Sequence, residues 1–220
     1  MLLPLGGCDP GAPPPVAQRE VAAVSVLPAA LELRAGETAQ LAAQANDAAG
    51  QPVGGAEIEF ASGTRAVADV TRDGLVTATG PVGSAQLRVA SGRAESVVPV
   101  TVVAGRPQAL NLRLPLPATA AAGAVVDVPV QVLDAFGNAV AGVQVQFAVQ
   151  SGKGRVALPV VSADAAGTAR VQWTLGAGEQ VLEARVAGLA PLLLRTSAGE
   201  PGLAAPSPTV ASPAPGTPRP

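Results

Sequence analysis

Two stretches of this sequence repeat the same pattern at a constant offset of 87 residues (134 − 47). Residues 47–60 read DAAGQPVGGAEIEF and residues 134–147 read DAFGNAVAGVQVQF, so that the Asp, two of the Gly and the final Phe coincide. The register extends backwards, because Pro28 matches Pro115 at the same offset. An internal repeat sets the number and the size of the structural units. The chain is therefore predicted to hold two similar units in tandem.

The flanks of the second repeat show the alternation of apolar and polar residues that is typical of β-strands. Valine occupies every second position from Val126 to Val132, and apolar residues do so from Val143 to Val149. This period of two places one side of each strand on a core and the other side toward water. Between the strands, an Asp can accept hydrogen bonds from the amides just ahead of it, and a Gly tolerates a positive φ. We predict a strand, a tight turn and a strand in each repeat, and an all-β fold.

The amino-acid composition excludes several classes of function. The sequence contains no histidine, which excludes Ser–His–Asp and Cys–His catalysis and the usual zinc sites. The net charge is −2 and Lys153 is the single lysine, so the sequence has no basic stripe for nucleic acid. Aromatic residues make up only 2 % of the chain, which leaves few stacking surfaces for sugars or single strands. We therefore expect no catalytic residues, no cofactor, no metal and no nucleic-acid partner.

The N-terminal residues Leu5-Gly-Gly-Cys8 resemble a bacterial lipobox, in which small residues precede a cysteine that is diacylated. Only seven residues precede Cys8, which is shorter than a complete signal peptide. We interpret residues 1–8 as a truncated lipoprotein signal, either because the start site is assigned too late or because the signal has been trimmed, and Cys8 as the lipidation site. The proline-rich residues 9–20 are then an extended linker. The alternative is a cytoplasmic chain in which Cys8 is incidental.

Residues 21–103 resemble a bacterial immunoglobulin-like domain of group 2. The resemblance rests on Val-x-Val-x-Pro at Val24–Pro28, the repeated Asp-x-x-Gly, and Asp-Gly-Leu-Val-Thr-Ala at Asp73–Ala78. Phe60 stands where that family usually has a tryptophan, and we expect it to keep an aromatic core role. The resemblance implies a β-sandwich of about 100 residues.

Residues 106–198 are similar to the group 1, invasin/intimin-like, bacterial immunoglobulin-like domains. The motifs are the second repeat and Asp-x-x-Gly-x-Ala-x-x-x-Trp-Thr-Leu-Gly, which runs from Asp164 to Gly176. Trp173 shares a strand face with Val171 and Leu175, so we predict that it packs in the core. The fold class is therefore predicted to be two tandem immunoglobulin-like β-sandwiches with proline-rich disordered ends, the C-terminal end being residues 199–220.

Four acidic residues fall in predicted turns, where a carboxylate can either cap the turn or bind calcium: Asp47, Asp73, Asp134 and Asp164. Calcium takes about six to eight oxygen ligands and favours clustered acids, whereas these are spaced singly apart from Asp69 and Asp73. We expect turn capping and keep a calcium site as the alternative. Gly152-Lys153-Gly154 lacks the spacing of a phosphate loop and is predicted to be a hairpin turn.

These features predict a non-enzymatic protein of the bacterial cell envelope, attached to a membrane through Cys8, on the outer membrane, the cell surface or the periplasmic side. The two sandwiches would act in adhesion or as a scaffold, with a protein or a cell-surface glycan as partner. The alternative is an accessory spacer or binding module of a larger envelope or secreted complex. A fold alone does not decide between these functions.

Overall fold

The computed structural model describes residues 20–199, and all of their regular secondary structure is β-strand. The predicted all-β fold is confirmed. Cys8, most of the predicted linker and nearly all of the predicted tail lie outside the described residues. Within 20–199, no helix has the length and apolar character needed to cross a membrane. The described residues form two compact units, composed mainly of 20–102 and mainly of 103–199.

The first unit contains nine strands arranged in three sheets. They are β1 (Ala23–Leu27), β2 (Leu31–Arg34), β3 (Thr38–Gln40), β4 (Ala42–Asn46), β5 (Glu59–Ser62), β6 (Ala68–Val70), β7 (Leu75–Ala78), β8 (Gly83–Ser91) and β9 (Ala94–Val103). The orders are β2-β9-β8-β5, β3-β7-β6 and β1-β4. Apolar and polar residues alternate along β8 and β9, which places aliphatic side chains in the core, where Leu87, Val89, Val98 and Val100 are at most 1 % exposed.

The second unit also contains nine strands, arranged in two sheets. They are β10 (Ala109–Leu112), β11 (Thr119–Ala121), β12 (Val125–Leu133), β13 (Gln144–Ser151), β14 (Arg155–Val156), β15 (Val160–Ser162), β16 (Thr168–Thr174), β17 (Gly178–Arg185) and β18 (Leu192–Gly199). The orders are β10-β12-β16-β14 and β11-β18-β17-β13-β15. β11 runs parallel to β18, and the other pairs of this unit are antiparallel. Trp173, Val171 and Leu175 are all at most 2 % exposed, so the predicted core position of Trp173 is confirmed.

The same five-residue turn occurs four times, at residues 47–51, 71–75, 134–138 and 164–168. In each turn the amide of the fourth residue, a glycine, donates to the carbonyl of the first at 2.9–3.2 Å. The amide of the first residue donates to the carbonyl of the fifth at 2.9–3.0 Å. The glycines have φ between +66° and +82°, a region that other residues adopt only with strain. This geometry is the three-residue hairpin loop that ends on a left-handed glycine.

Aspartate caps three of these turns. The Oδ1 atoms of Asp47, Asp134 and Asp164 accept hydrogen bonds from the amides two and four residues ahead, at 2.8–2.9 Å. The expectation for Asp73 is wrong, because the turn begins at Thr71 and places Asp73 third. Thr71 Oγ1 accepts from the Leu75 amide at 3.1 Å instead. The capping residue is therefore set by its distance of three residues from the glycine.

One glutamine side chain lies fully buried in the second unit. Gln180, on β17, accepts hydrogen bonds through Oε1 from the amides of Gly154 and Gly176 at 3.1 and 3.2 Å. The segment around Gly152 and Gly154 follows β13 and leads to β14, and these strands belong to different sheets. The predicted hairpin turn at Gly152-Lys153-Gly154 is therefore wrong. The segment crosses between the two sheets and is fastened there by Gln180.

Candidate interaction surface

Asp134 is the most buried of the four turn aspartates. Its residue is 4 % exposed, and its Oδ2 accepts from the Gly105 amide and the Asn138 side chain, both at 2.8 Å. Burial acts to raise the pKa of this carboxyl group, but the hydrogen bonds from Asn138, Gly105 and Phe136 outweigh it and hold the pKa below its ordinary value. Together with the Phe136 and Asn138 backbone amides, these donors make four hydrogen bonds to the Asp134 carboxylate, which therefore fastens the turn. Within residues 20–199, no three Asp, Glu, Cys or His side chains gather as a metal site would require.

The outer face of the β17–β18 pair carries charged residues around an exposed leucine. Glu183 is 7 % exposed, and its carboxylate accepts from Arg185 at 2.6 Å and from the side-chain Nε2 of Gln150. Leu193 is 49 % exposed beside them, and a shallow depression of about 510 Å³ lies along the face. The charged side chains on this face pair with one another, as Arg185 does with Glu183 and Arg195 with Glu179. The exposed Leu193 is therefore the main group that this face could offer a ligand.

The edge strand β15 of the second unit covers the N-terminal part of β13. It pairs antiparallel through Gln144–Ser162, Val145–Val161 and Gln146–Val160. The Phe147 amide continues the ladder by donating to the Pro159 carbonyl at 2.8 Å. Under this cover Val145 and Phe147 are buried, at 0 % and 3 % exposure.

The first unit has the same strand as β13 but no counterpart of β15. At the repeat offset of 87, the residues covered by β15 correspond to Glu57, Ile58, Glu59 and Phe60. β5 pairs with β8 on one side, and within the described residues no strand pairs with it on the other. β5 is therefore an edge strand where the second unit has an interior one.

Chain length explains the missing strand. From the repeat phenylalanine to the start of the next five-residue turn, the second unit spans 17 residues (164 − 147) and the first only 11 (71 − 60). The first unit uses this shorter connection for β6, which pairs with β7 just as β14 pairs with β16. Because this connection is six residues shorter, it is too short to form a further strand along β5.

The missing cover changes the burial of the repeat residues. Ile58 and Phe60 are half-buried, although their counterparts Val145 and Phe147 are buried. The expectation of a core role for Phe60 is therefore only partly met. A groove of about 470 Å³ runs beside these residues and is lined by Glu57, Glu59, Arg72 and Arg88 as well. We take this free edge, residues 57–61, as the candidate interaction surface and refer to it as the β5 edge.

The sequence-predicted candidates do not gather at the β5 edge. Cys8 lies outside the described residues, and the turn aspartates lie in separate turns. Sequence reasoning missed the β5 edge, although one signal for it was present. The two repeats agree in register as far as Phe60 and Phe147, and then differ in the length of the connection that follows.

Comparison with solved structures finds similar folds in domains of other proteins. The chain is similar to FdeC, an adhesin of Escherichia coli, with a TM-score of 0.54 and 23 % identity over 79 % of this chain and 63 % of that chain. It thus spans less than two thirds of the FdeC structure. Weaker likenesses are to the D00–D0 domains of intimin (TM-score 0.45, 14 % identity, 78 % and 98 % of the two chains) and to the adhesin InvE of Yersinia pseudotuberculosis (0.38, 18 %, 80 % and 58 %).

The likeness to FdeC supports the fold alone. No protein-family model matches the sequence, and no curated protein matches it significantly. At 23 % identity, the similarity to FdeC identifies an immunoglobulin-like β-sandwich architecture.

Proposed function

We propose that this protein is a non-enzymatic component of the bacterial cell envelope, anchored by a lipid on Cys8, whose two immunoglobulin-like sandwiches make adhesive contacts. The observation that carries the proposal is the similarity of the fold to that of the adhesin FdeC. Sandwiches of this kind hold loops and strand edges on a rigid scaffold, which is where binding residues are most often found. The assignment of the first unit to group 2 and of the second to group 1 is part of the proposal.

The four capped turns suit this role. Each is held by two backbone hydrogen bonds and a left-handed glycine, and in three of them an aspartate carboxylate accepts two further bonds from backbone amides. Turns that are held in this way lose little further conformational entropy when a partner binds. A lipid on Cys8 would stabilise membrane attachment by about 0.8 kcal/mol for each buried methylene.

The proposal is tested in bacteria that carry the full chain, a deletion, or the variant Cys8→Ser. We expect labelled palmitate to be incorporated into the wild-type chain but not into Cys8→Ser. We also expect deletion to lower the number of cells that adhere to a surface, with restoration by the wild-type chain. Protease added to intact cells should degrade the wild-type chain.

Each part can fail separately. Equal palmitate labelling of the two chains would contradict the anchor. Unchanged adherence after deletion would contradict adhesion. Protection from protease until the outer membrane is opened would favour the alternative, an accessory module inside the envelope.

A further inference from the structure

We propose that the β5 edge of the first unit binds an extended segment of a different polypeptide, which adds a strand antiparallel to β5. The added strand would occupy the place that β15 fills in the second unit. This inference goes beyond the proposed function, since it names a surface and the chemistry of its partner. It depends neither on Cys8 nor on adhesion.

The backbone of the β5 edge is oriented for such pairing. β5 pairs with β8 through Glu59–Ala90 and Ala61–Arg88, and the Gly63 amide donates to the Gln86 carbonyl at 2.9 Å. In an antiparallel ladder, residues that bond to one neighbour alternate with residues that bond to the other. The amides and carbonyls of Ile58 and Phe60 therefore face away from β8. Within the described residues, no hydrogen bond to these groups is present.

The second unit shows what satisfies these groups. The counterparts of Ile58 and Phe60 are Val145 and Phe147, which bond to β15 through the pair Val145–Val161 and the contact from Phe147 to Pro159. An added strand with an apolar residue opposite Ile58 would cover Ile58 and Phe60 in the same way. The hydrophobic gain and the backbone bonds together are the usual basis of strand addition.

Charge decides against a second copy of this chain as the occupant. If two copies paired antiparallel through Ile58 and Phe60, Glu59 would lie directly opposite Glu59 of the second copy. Like charges in directly opposed positions destabilise a strand pair, and charged residues on an edge commonly serve to prevent self-association. Arg88, which also lines the groove, pairs with Glu95 at 2.8 Å, so Glu57 and Glu59 outnumber Arg72 there and favour a partner with basic residues. The expected partner segment therefore has an apolar residue flanked on both sides by lysine or arginine.

The test uses a labelled peptide with the sequence of residues 157–164, in which Val160→Lys and Ser162→Lys place lysines opposite Glu59 and Glu57. Fluorescence anisotropy of this peptide is measured while the full chain is added. We expect saturable binding. Methylation of the peptide nitrogen at Val161 should weaken it about tenfold, because a backbone hydrogen bond to Ile58 is lost. This arm leaves the protein unchanged, so folding does not affect it.

Protein variants supply the matched controls. The double variant Glu57→Lys and Glu59→Lys should bind the lysine peptide about fivefold or more weakly, and should prefer a peptide with Val160→Glu and Ser162→Glu. Glu32→Lys makes the same kind of charge change on β2, at the opposite edge of the same sheet, and should bind like the wild type. Ile58→Pro removes the edge donor and should weaken binding about tenfold.

Three results would overturn the proposal. One is equal binding of the methylated and unmethylated peptides. Another is a loss of binding in Glu32→Lys as large as that in the double variant, which would show that overall charge decides the affinity. The third is a dimer in sedimentation that Ile58→Pro dissociates, because the occupant would then be a second copy.

Discussion

The variant Trp173→Ala is expected to lose about 3–5 kcal/mol of the free energy of unfolding of the second unit. Trp173 is fully buried and belongs to the core cluster formed by both sheets of this unit. Removing the indole leaves a cavity that the fastened segment around Gly154 cannot easily fill, because Gln180 holds its backbone. Such a loss is a large share of the roughly 5–15 kcal/mol that stabilises a typical domain. Scanning calorimetry of the intact chain measures it as a lowered transition for this unit.

Trp173→Phe is the matched control. Within the described residues, the Nε1 donor of Trp173 has no hydrogen-bond partner, and a buried donor without a partner costs about 1–3 kcal/mol. Phenylalanine keeps most of the ring contacts and removes this donor, so its effect should be less than half that of alanine. A loss as large as that of Trp173→Ala would show that the indole nitrogen is satisfied and contributes to stability.

The variant Gly167→Ala is expected to cost the second unit about 3 kcal/mol. Gly167 has a φ of +66°, which alanine adopts only with strain. A Cβ there would also lie 2.8 Å from the Val140 amide nitrogen and 3.0 Å from the Val132 carbonyl oxygen. These two backbone atoms bond to each other at 3.0 Å, so neither can move without loss. Urea unfolding followed by the fluorescence of Trp173, the single tryptophan, measures the effect.

Gly137→Ala separates backbone strain from steric crowding. Gly137 holds the same place in the same five-residue turn and has a φ of +82°, but a Cβ there meets nothing within 4 Å. We expect only the left-handed strain, about 1–2 kcal/mol. Equal losses in the two variants would contradict the steric argument and assign both effects to φ.

The sequence predicted those parts of the fold that depend on local chemistry. The period of two from Val126 to Val132 and the Asp-x-x-Gly spacing are both local signals, and the structure follows them. The Asp-x-x-Gly pattern does not include Thr71, whereas the turn requires only a short side chain with an acceptor oxygen three residues before the glycine.

Features that depend on long-range pairing could not be predicted in this way. The burial of Phe60 differs from that of Phe147 because of a strand that begins 13 residues beyond Phe147 and exists in one unit only. The role of Gln180 depends on Gly154, which is 26 residues away. Neither the polar character of a glutamine nor the alternation of apolar residues along its strand predicts which backbone amides its buried side chain will contact.

Amide hydrogen exchange, resolved by residue in the intact chain, tests the central claim most directly. The claim is that the two units share one fold and that the first leaves open the edge which the second closes with β15. We predict rapid exchange at Ile58 and Phe60 and slow exchange at Val145 and Phe147. Slow exchange at all four amides would show that the β5 edge is already covered, and would contradict the account.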